Sequence, residues 1–353
     1  MAKKCKPVRV AVIGCSSAAE GHIAALIAAP ETKLVACCDI NKERVKEFRK
    51  KYKIRRGYTN YLKLLRRPLL RRRIQAVHIC LPSASRAAIA GYCLLKKCHV
   101  MIEPPMALDL AVAEEAVKNA GYMGKSCGVL LPARANATTA YVREALGAGR
   151  LGKILSVKSV ICATPLVAED GYDGTFADKT AGRLLFDFAS HTIDLVDTLI
   201  ADDIAELSCS MANRAHTGEG AADSAEGVIT YSGDVKHSFY CTRNYENGGS
   251  SQISLLCEGG ELVFDASDVR ITYADGTTDG MHDDNPAMGC LDQIREFYTA
   301  CREGTVPSND ARTALRLHEI LIALYEDAII SGLYEKEKAA TAAKTAKKKR
   351  LWY

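Results

Sequence analysis

Two short stretches of this sequence carry residue types suited to binding polar groups, one an anion and the other hydroxyls. The first is Gly14-Cys15-Ser16-Ser17-Ala18-Ala19, which follows the apolar run VRVAVIG and opens a helical pattern, AEGHIAALIAA. A glycine leaving a strand can make a tight turn, and the free N–H groups of the next helix attract a phosphate. In the dinucleotide fingerprint a second glycine lets the backbone approach a pyrophosphate, and a third lets helix pack on strand. Ser16 stands at the second position and Ala19 at the third. The other stretch is KLVACCD, ending in Asp39. An acid about 20 residues after the glycine turn accepts ribose hydroxyls. Asp39 favours NAD, while nearby Lys42 and Arg44 leave NADP open. A fold of this kind whose site is empty or lost is the competing reading.

Such residues need a scaffold that sets a glycine turn beside an acid, and the first part of the chain has the pattern for one. Apolar β-branched runs predict strands over 8–14, 33–39, 76–82, 99–103 and 127–131. Helical spacing predicts helices over 19–29, 42–52, 85–97 and 110–123. Strands alternating with helices imply βαβ units, and right-handed crossovers wind them into a doubly wound parallel sheet of Rossmann type. The pattern changes after Gly152. An alternating stretch over 153–164 and a helix over 182–200 precede several strand-like runs between 206 and 276, and helices over 290–304 and 310–330 follow. The expected fold class is therefore α/β, with an N-terminal doubly wound Rossmann sheet and a C-terminal α+β domain carrying an open, largely antiparallel sheet. The expected division is residues 1–130, residues 131–334 and a basic tail over 335–353.

Length and composition agree with two globular domains. The chain has 353 residues, 48% hydrophobic and 25% charged, and a domain typically takes roughly 100–200 residues. No apolar run approaches the ~18 residues of a membrane span, and the opening segment lacks a secretory signal's apolar core. The 14 cysteines show no CxxC pair and no paired Cys/His spacing of a zinc site. They are expected to be buried reduced thiols with no metal, in the cytoplasm or another reducing compartment. The net charge of +5 hides a basic block: residues 41–73 hold fifteen Lys and Arg against Glu43 and Glu47. The segment Arg55–Arg73 and the basic tail could attract an acidic protein or nucleic acid, or form a solvated face.

The order and spacing of several blocks resemble the Gfo/Idh/MocA family of NAD(P)-dependent oxidoreductases over about 7–334. The blocks are RVAVIGCSSAAEGHIAAL, YTNYLKLL, AVHICLPSASRAAIA, HVMIEPPMAL and GRLLFDFASHTIDLVDTL, with the closing helices. The resemblance implies an NAD or NADP cofactor and a small-molecule substrate, a sugar, cyclitol or related carbonyl or alcohol. It also implies a homo-oligomer formed through the C-terminal sheet. Carried over to this chain, it places Gly14, Ser16, Ala19, Asp39, Pro82 and Glu103 at the cofactor. It makes Asp187 and His191, of the Asp-x-x-x-His pattern, the acid/base pair, with Asp194 as companion. His22 falls where the family often has histidine, and is expected to be structural. Arg86 falls where the family often has histidine too. Arg134 falls where an arginine often lies near substrate.

One departure matters for mechanism. The family's Glu-Lys-Pro motif reads Glu103-Pro104-Pro105 here. A lysine ammonium can donate a proton or stabilise an alkoxide, whereas proline has neither a side-chain donor nor an N–H. Two function classes follow: an oxidoreductase relying on Asp187 and His191, or a non-catalytic family member serving as a structural or binding subunit. His78, in the middle of a strand, is expected to be a satisfied core residue.

Overall fold

The computed structural model describes residues 6–16, 19–66, 74–81, 83–107, 109–163, 184–212, 214, 222–245 and 249–330. Pro82, Arg67–Arg73 and the basic tail lie outside them. The chain divides into two compact units. One joins the residues up to Asn136 with Ala287–Glu319, and the other joins Ala137–Pro286 with the chain from Ile320 onward.

The first unit is built on strands β1 (Val8–Ile13), β2 (Thr32–Cys38), β3 (Arg56–Tyr58), β4 (Ala76–Ile79), β5 (His99–Ile102) and β6 (Cys127–Val129). They form a six-stranded sheet in the order β3-β2-β1-β4-β5-β6, and every neighbouring pair is parallel. Its helices are α1 (Ala19–Ala28), α2 (Lys42–Lys51), α3 (Tyr61–Arg66), α4 (Ser83–Leu95) and α5 (Leu110–Met123). The central strands β1, β4 and β5 are largely apolar and buried because a parallel sheet is covered on both faces. Val10 and Val12 of β1 share a buried cluster with Ile23 and Leu26 of α1. The strand order reverses between β1 and β4, which opens a crevice at the carboxyl ends of these two strands.

A later segment of the chain, Ala287–Glu319, completes this core. Helix α8 (Met288–Glu303) places Ile294 and Phe297 in the same cluster. Phe297 lies so close to β6 that a side chain at Gly128 would meet its ring 2.6 Å away. Gln293 pairs with both the amide and the carbonyl of Leu131, at 2.6 and 3.1 Å. Asn309 exchanges backbone and side-chain hydrogen bonds with Val129, and Ala311 donates to the Cys127 carbonyl. These bonds cover the edge of β6, a row of polar groups that would otherwise stay unpaired.

The second unit holds α6 (Ala137–Gly147), β7 (Ile154–Cys162), a π-helical turn over Leu184–Ala189, and α7 (Ser190–Ile200). Then come β8 (Ile204–Ala212), β9 (Ser224–Tyr231), β10 (Lys236–Thr242), β11 (Ser250–Cys257), β12 (Gly260–Phe264), β13 (Asp268–Tyr273) and β14 (Thr278–His282), and later α9 (Leu315–Ile330). The sheet order is β14-β13-β12-β11-β7-β10-β9-β8. Every pairing is antiparallel except β7 with β10. Both sheets match the expected fold class. The expected single helix over 182–200 differs: its first part is π-helical, a widened turn that often marks functional segments. Among the described residues no helix is long and apolar enough to cross a membrane.

The second sheet buries a histidine. His237 of β10 is fully enclosed, with Nε2 2.8 Å from Ser159 Oγ on β7. Burial holds its pKa down at about 3. An unfolded chain takes up this proton near pH ~6.5. Between these values the unfolded state binds more protons, so stability is complete above about pH 6.5 and falls as pH drops. We expect chemical denaturation between pH 6.5 and 4 to show His237→Asn flattening the slope by up to about 1.4 kcal/mol per pH unit. An unchanged slope would mean that His237 charges freely in the fold.

Candidate functional site

The crevice begins where β1 ends. Gly14 has φ +105°, and a Cβ there would collide with the Cys80 carbonyl beyond β4. Only glycine meets both demands. The Gly14 amide donates to the Cys38 carbonyl at 2.8 Å, and the Cys80 amide to the Ile13 carbonyl at 2.8 Å, so the turn is stitched to both neighbouring strands. The Cys15 amide donates to Asp39 Oδ2 at 2.8 Å, and the Asn41 amide to Asp39 Oδ1 at 2.8 Å. Asp39 is buried. The structure thus brings Gly14, Cys15 and Asp39 together, and each carboxylate oxygen keeps lone-pair capacity for a further donor. Ser16 is half-buried, and its carbonyl accepts the Ala19 amide at 3.0 Å. Ala19 opens α1 fully buried, the close helix–strand contact the third glycine position serves. These residues fit a dinucleotide: a glycine cradle, a helix N-terminus and a buried acid with spare acceptors.

Beyond β5 a second polar knot forms. Glu103 Oε1 lies 2.8 Å from His22 Nε2 of α1, and Glu103 Oε2 lies 2.9 Å from Arg86 Nη2 of α4. Burial pulls the Glu103 carboxyl up, but the His22 hydrogen bond and the Arg86 charge outweigh it and leave the group below its usual range. Arg86 is itself buried. Its Nη1 donates to the carbonyls of Pro104 (2.6 Å) and Pro105 (3.2 Å), and its Nε donates to the Leu81 carbonyl. The Pro104–Pro105 peptide is cis. Arg86 therefore spends its planar fork on three carbonyls and one carboxylate.

Behind this knot lie His78 and Cys80, both buried. The sequence reading of His78 as a satisfied core residue needs correction. It is buried, but neither ring nitrogen has a partner, and His22 Nδ1 is likewise buried and unpartnered. Each such group costs about 1–3 kcal/mol when left unsatisfied. Burial, with the nearby His22, pushes the His78 pKa down to about 3. Burial also pushes the Cys80 thiol well up. One nitrogen of each imidazole and the Cys80 sulfur lie within 4.8 Å of one another. Spacing along the chain could not reveal this set, because His22 comes from a different element. The His-x-Cys step at 78–80 was the available signal.

The remaining expected residues lie elsewhere. Asp187 falls on the π-helical turn and His191 in the first turn of α7, both in the second unit. The Asp187 side chain lies outside the described residues. His191 is half-buried and engaged in an interaction, and Asp194 is buried. Arg134, in a 3-10 turn over Pro132–Ala135, donates from Nη1 to Thr313 Oγ1 at 3.1 Å.

A doubly wound sheet with a glycine turn and an acid at its switch point defines a dinucleotide-type Rossmann unit. The chain belongs to the Gfo/Idh/MocA family: the family described as "Oxidoreductase family, NAD-binding Rossmann fold" matches residues 8–131, and the "GFO/IDH/MocA C-terminal domain" matches residues 139–263. Among its relatives, the 4-carboxy-2-hydroxymuconate-6-semialdehyde dehydrogenase of Sphingobium sp. is 25% identical over 320 residues, 89% of this chain and 96% of that protein. Solved structures that share the fold include the following two. Myo-inositol 2-dehydrogenase from Lactobacillus plantarum has a TM-score of 0.79 at 19% identity, covering 92% of this chain and 98% of that one. Levoglucosan dehydrogenase in complex with NADH and levoglucosan has a TM-score of 0.80 at 16% identity, covering 92% and 97%.

The knot around Arg86 is testable by stability. Removing one partner of a buried ion pair costs about 3–5 kcal/mol. Arg86→Ala should lose about that much in urea denaturation, because Glu103 and three carbonyls lose their donor. Glu103→Gln, which can still accept from Arg86, should lose less. If Arg86→Ala proved as stable as the parent, the guanidinium would have no structural part.

Proposed function

We propose that this protein is an NAD-dependent oxidoreductase acting on the hydroxyl or carbonyl carbon of a sugar-like or polyol substrate. The observation that carries the reading is the buried Asp39 carboxylate clasping the Gly14 turn at the strand switch point. Gly14, Ser16 and the start of α1 would hold the pyrophosphate, and Asp39 the ribose. The dinucleotide, when bound, supplies or accepts the hydride. The chain's own contribution is a proton relay. His191, an imidazole that can both accept and donate a proton, would move the substrate hydroxyl proton, with Asp187 orienting its ring. Asp39 favours NAD over NADP, since a carboxylate repels a 2′-phosphate; Lys42 and Arg44 at the start of α2 are what could reverse that preference.

A second reading, a non-catalytic family member, is favoured by Pro104. It offers no donor, and its carbonyl is already taken by Arg86 at 2.6 Å. Two measurements separate the readings. Fluorescence titration should show NADH binding below millimolar concentration and more tightly than NADPH; no binding of either at millimolar levels rules out the enzyme. In a screen of polyols and sugars, the parent should reduce NAD, and His191→Ala should lose about 10²–10⁴ in rate. Binding without turnover, with activity appearing only in Pro104→Lys, would favour the non-catalytic reading.

A polyanionic partner is a separate proposal. Arg9, Lys33, Lys53, Arg55 and Arg56 line a groove of about 630 Å³ in the first unit, and Arg9 Nε is buried there without a partner. None of the five makes an ion pair among the described residues. A single-stranded oligonucleotide should bind with an affinity that falls steeply as salt rises, with a slope near −0.7 per phosphate neutralised. Reversing Arg55 and Arg56 to Glu should reduce that slope by about two contacts. Salt-independent binding, or none, would leave the groove as a solvated face.

A further inference from the structure

We propose that His22, His78 and Cys80 form a binding site for one zinc-class divalent cation, behind the glycine turn of the first unit. The site is assembled from two elements that flank that turn. His78 and Cys80 lie two residues apart at the end of β4, so an extended backbone points both side chains to one face. His22 comes from α1. One nitrogen from each imidazole and the Cys80 sulfur lie within 4.8 Å of one another.

Three observations point to a cation here. First, His78 is fully buried and both its nitrogens lack partners. A neutral imidazole always presents one lone pair, and a dry interior offers this one nothing to bind. Second, His22 Nδ1 is also buried without a partner, while its Nε2 meets Glu103 Oε1 at 2.8 Å. That carboxylate fixes the Nε2–H tautomer and leaves the Nδ1 lone pair free. A carboxylate behind a metal-binding imidazole does the same. Arg86 in turn holds Glu103 in place at 2.9 Å. Third, the ligand chemistry is selective. Two imidazoles and a thiolate suit zinc, whereas magnesium and calcium take oxygen ligands.

Tetrahedral zinc brings such ligand atoms to about 3.3–3.8 Å apart, so binding draws the three side chains together by about one ångström. The Cys80 thiol loses its proton to solvent as the sulfur–metal bond forms. Three protein ligands leave one coordination position for water or a small ligand. The consequence is mechanical. Cys80 contacts Gly14 through its carbonyl and bonds Ile13 through its amide, so a cation joining Cys80 to α1 would brace the turn from behind. This inference is independent of the dinucleotide reading, and its test needs no dinucleotide.

The full chain, stripped with EDTA and titrated with Co²⁺, should take up one equivalent. Tetrahedral d–d bands and a thiolate-to-cobalt band in the near ultraviolet should appear, and Zn²⁺ should displace them. Cys80→Ser should abolish the thiolate band, and His78→Leu should weaken cobalt binding by about 100-fold or more. Should either variant fail to fold, the parent carries the test alone: added Zn²⁺ should raise its Tm with concentration, and the stripped chain, once reloaded with Zn²⁺, should keep one equivalent through gel filtration. Octahedral cobalt spectra without a thiolate band, or a parent chain that retains no zinc and shows no shift in Tm, would overturn the site.

Discussion

A turn buried at the end of a parallel sheet must find acceptors for its amides, and Asp39 supplies two. Its Oδ2 takes the N–H of Cys15 and its Oδ1 the N–H of Asn41. The first bond fastens the exit of β1 to the exit of β2. The second sets Asn41, whose own side chain caps α2 by accepting from Glu43 and Arg44. Charge-assisted bonds of this kind are roughly twice as strong as neutral ones. Gly14 completes the arrangement, since no side chain fits against the Cys80 carbonyl. The same acid that organises the turn is thus left with spare lone pairs at the carboxyl end of β2.

The end of β5 follows a related logic with the opposite charge. The position that carries lysine in the family's motif is Pro104, and the cation nearest its carbonyl is Arg86, reaching over from α4. Arg86 does not replace the missing lysine chemically. Its donors are committed to Leu81, Pro104, Pro105 and Glu103, and it is buried. Its part is to hold the Pro-Pro segment and to keep Glu103 charged behind His22. His191 lies in the first turn of α7, directly after the π-helical turn of the second unit.

Local pattern made much of this legible. Strand and helix periods in the first 130 residues predicted nearly every element of the first unit, because apolar spacing reports which face is buried. Only short pieces escaped, such as Arg56–Tyr58 and Tyr61–Arg66, too brief to show a period. The turn at Gly14 and the acid at Asp39 were readable for the same reason: both sit at strand ends whose positions are local properties. Asp187 and His191 were placed by resemblance, and helical spacing alone missed the π turn between Leu184 and Ala189, which depends on packing rather than on periodicity.

The sequence by itself therefore determined the two-sheet architecture, the glycine turn and the loss of the motif lysine, since each is written in neighbouring residues. Tertiary structure decided the rest. It brought α8 and Asn309 back to close the first sheet, gave Arg86 its four partners, and gathered His22, His78 and Cys80 around unpaired nitrogens. Those contacts join residues far apart in the chain, and only the packing of one element on another sets their distances.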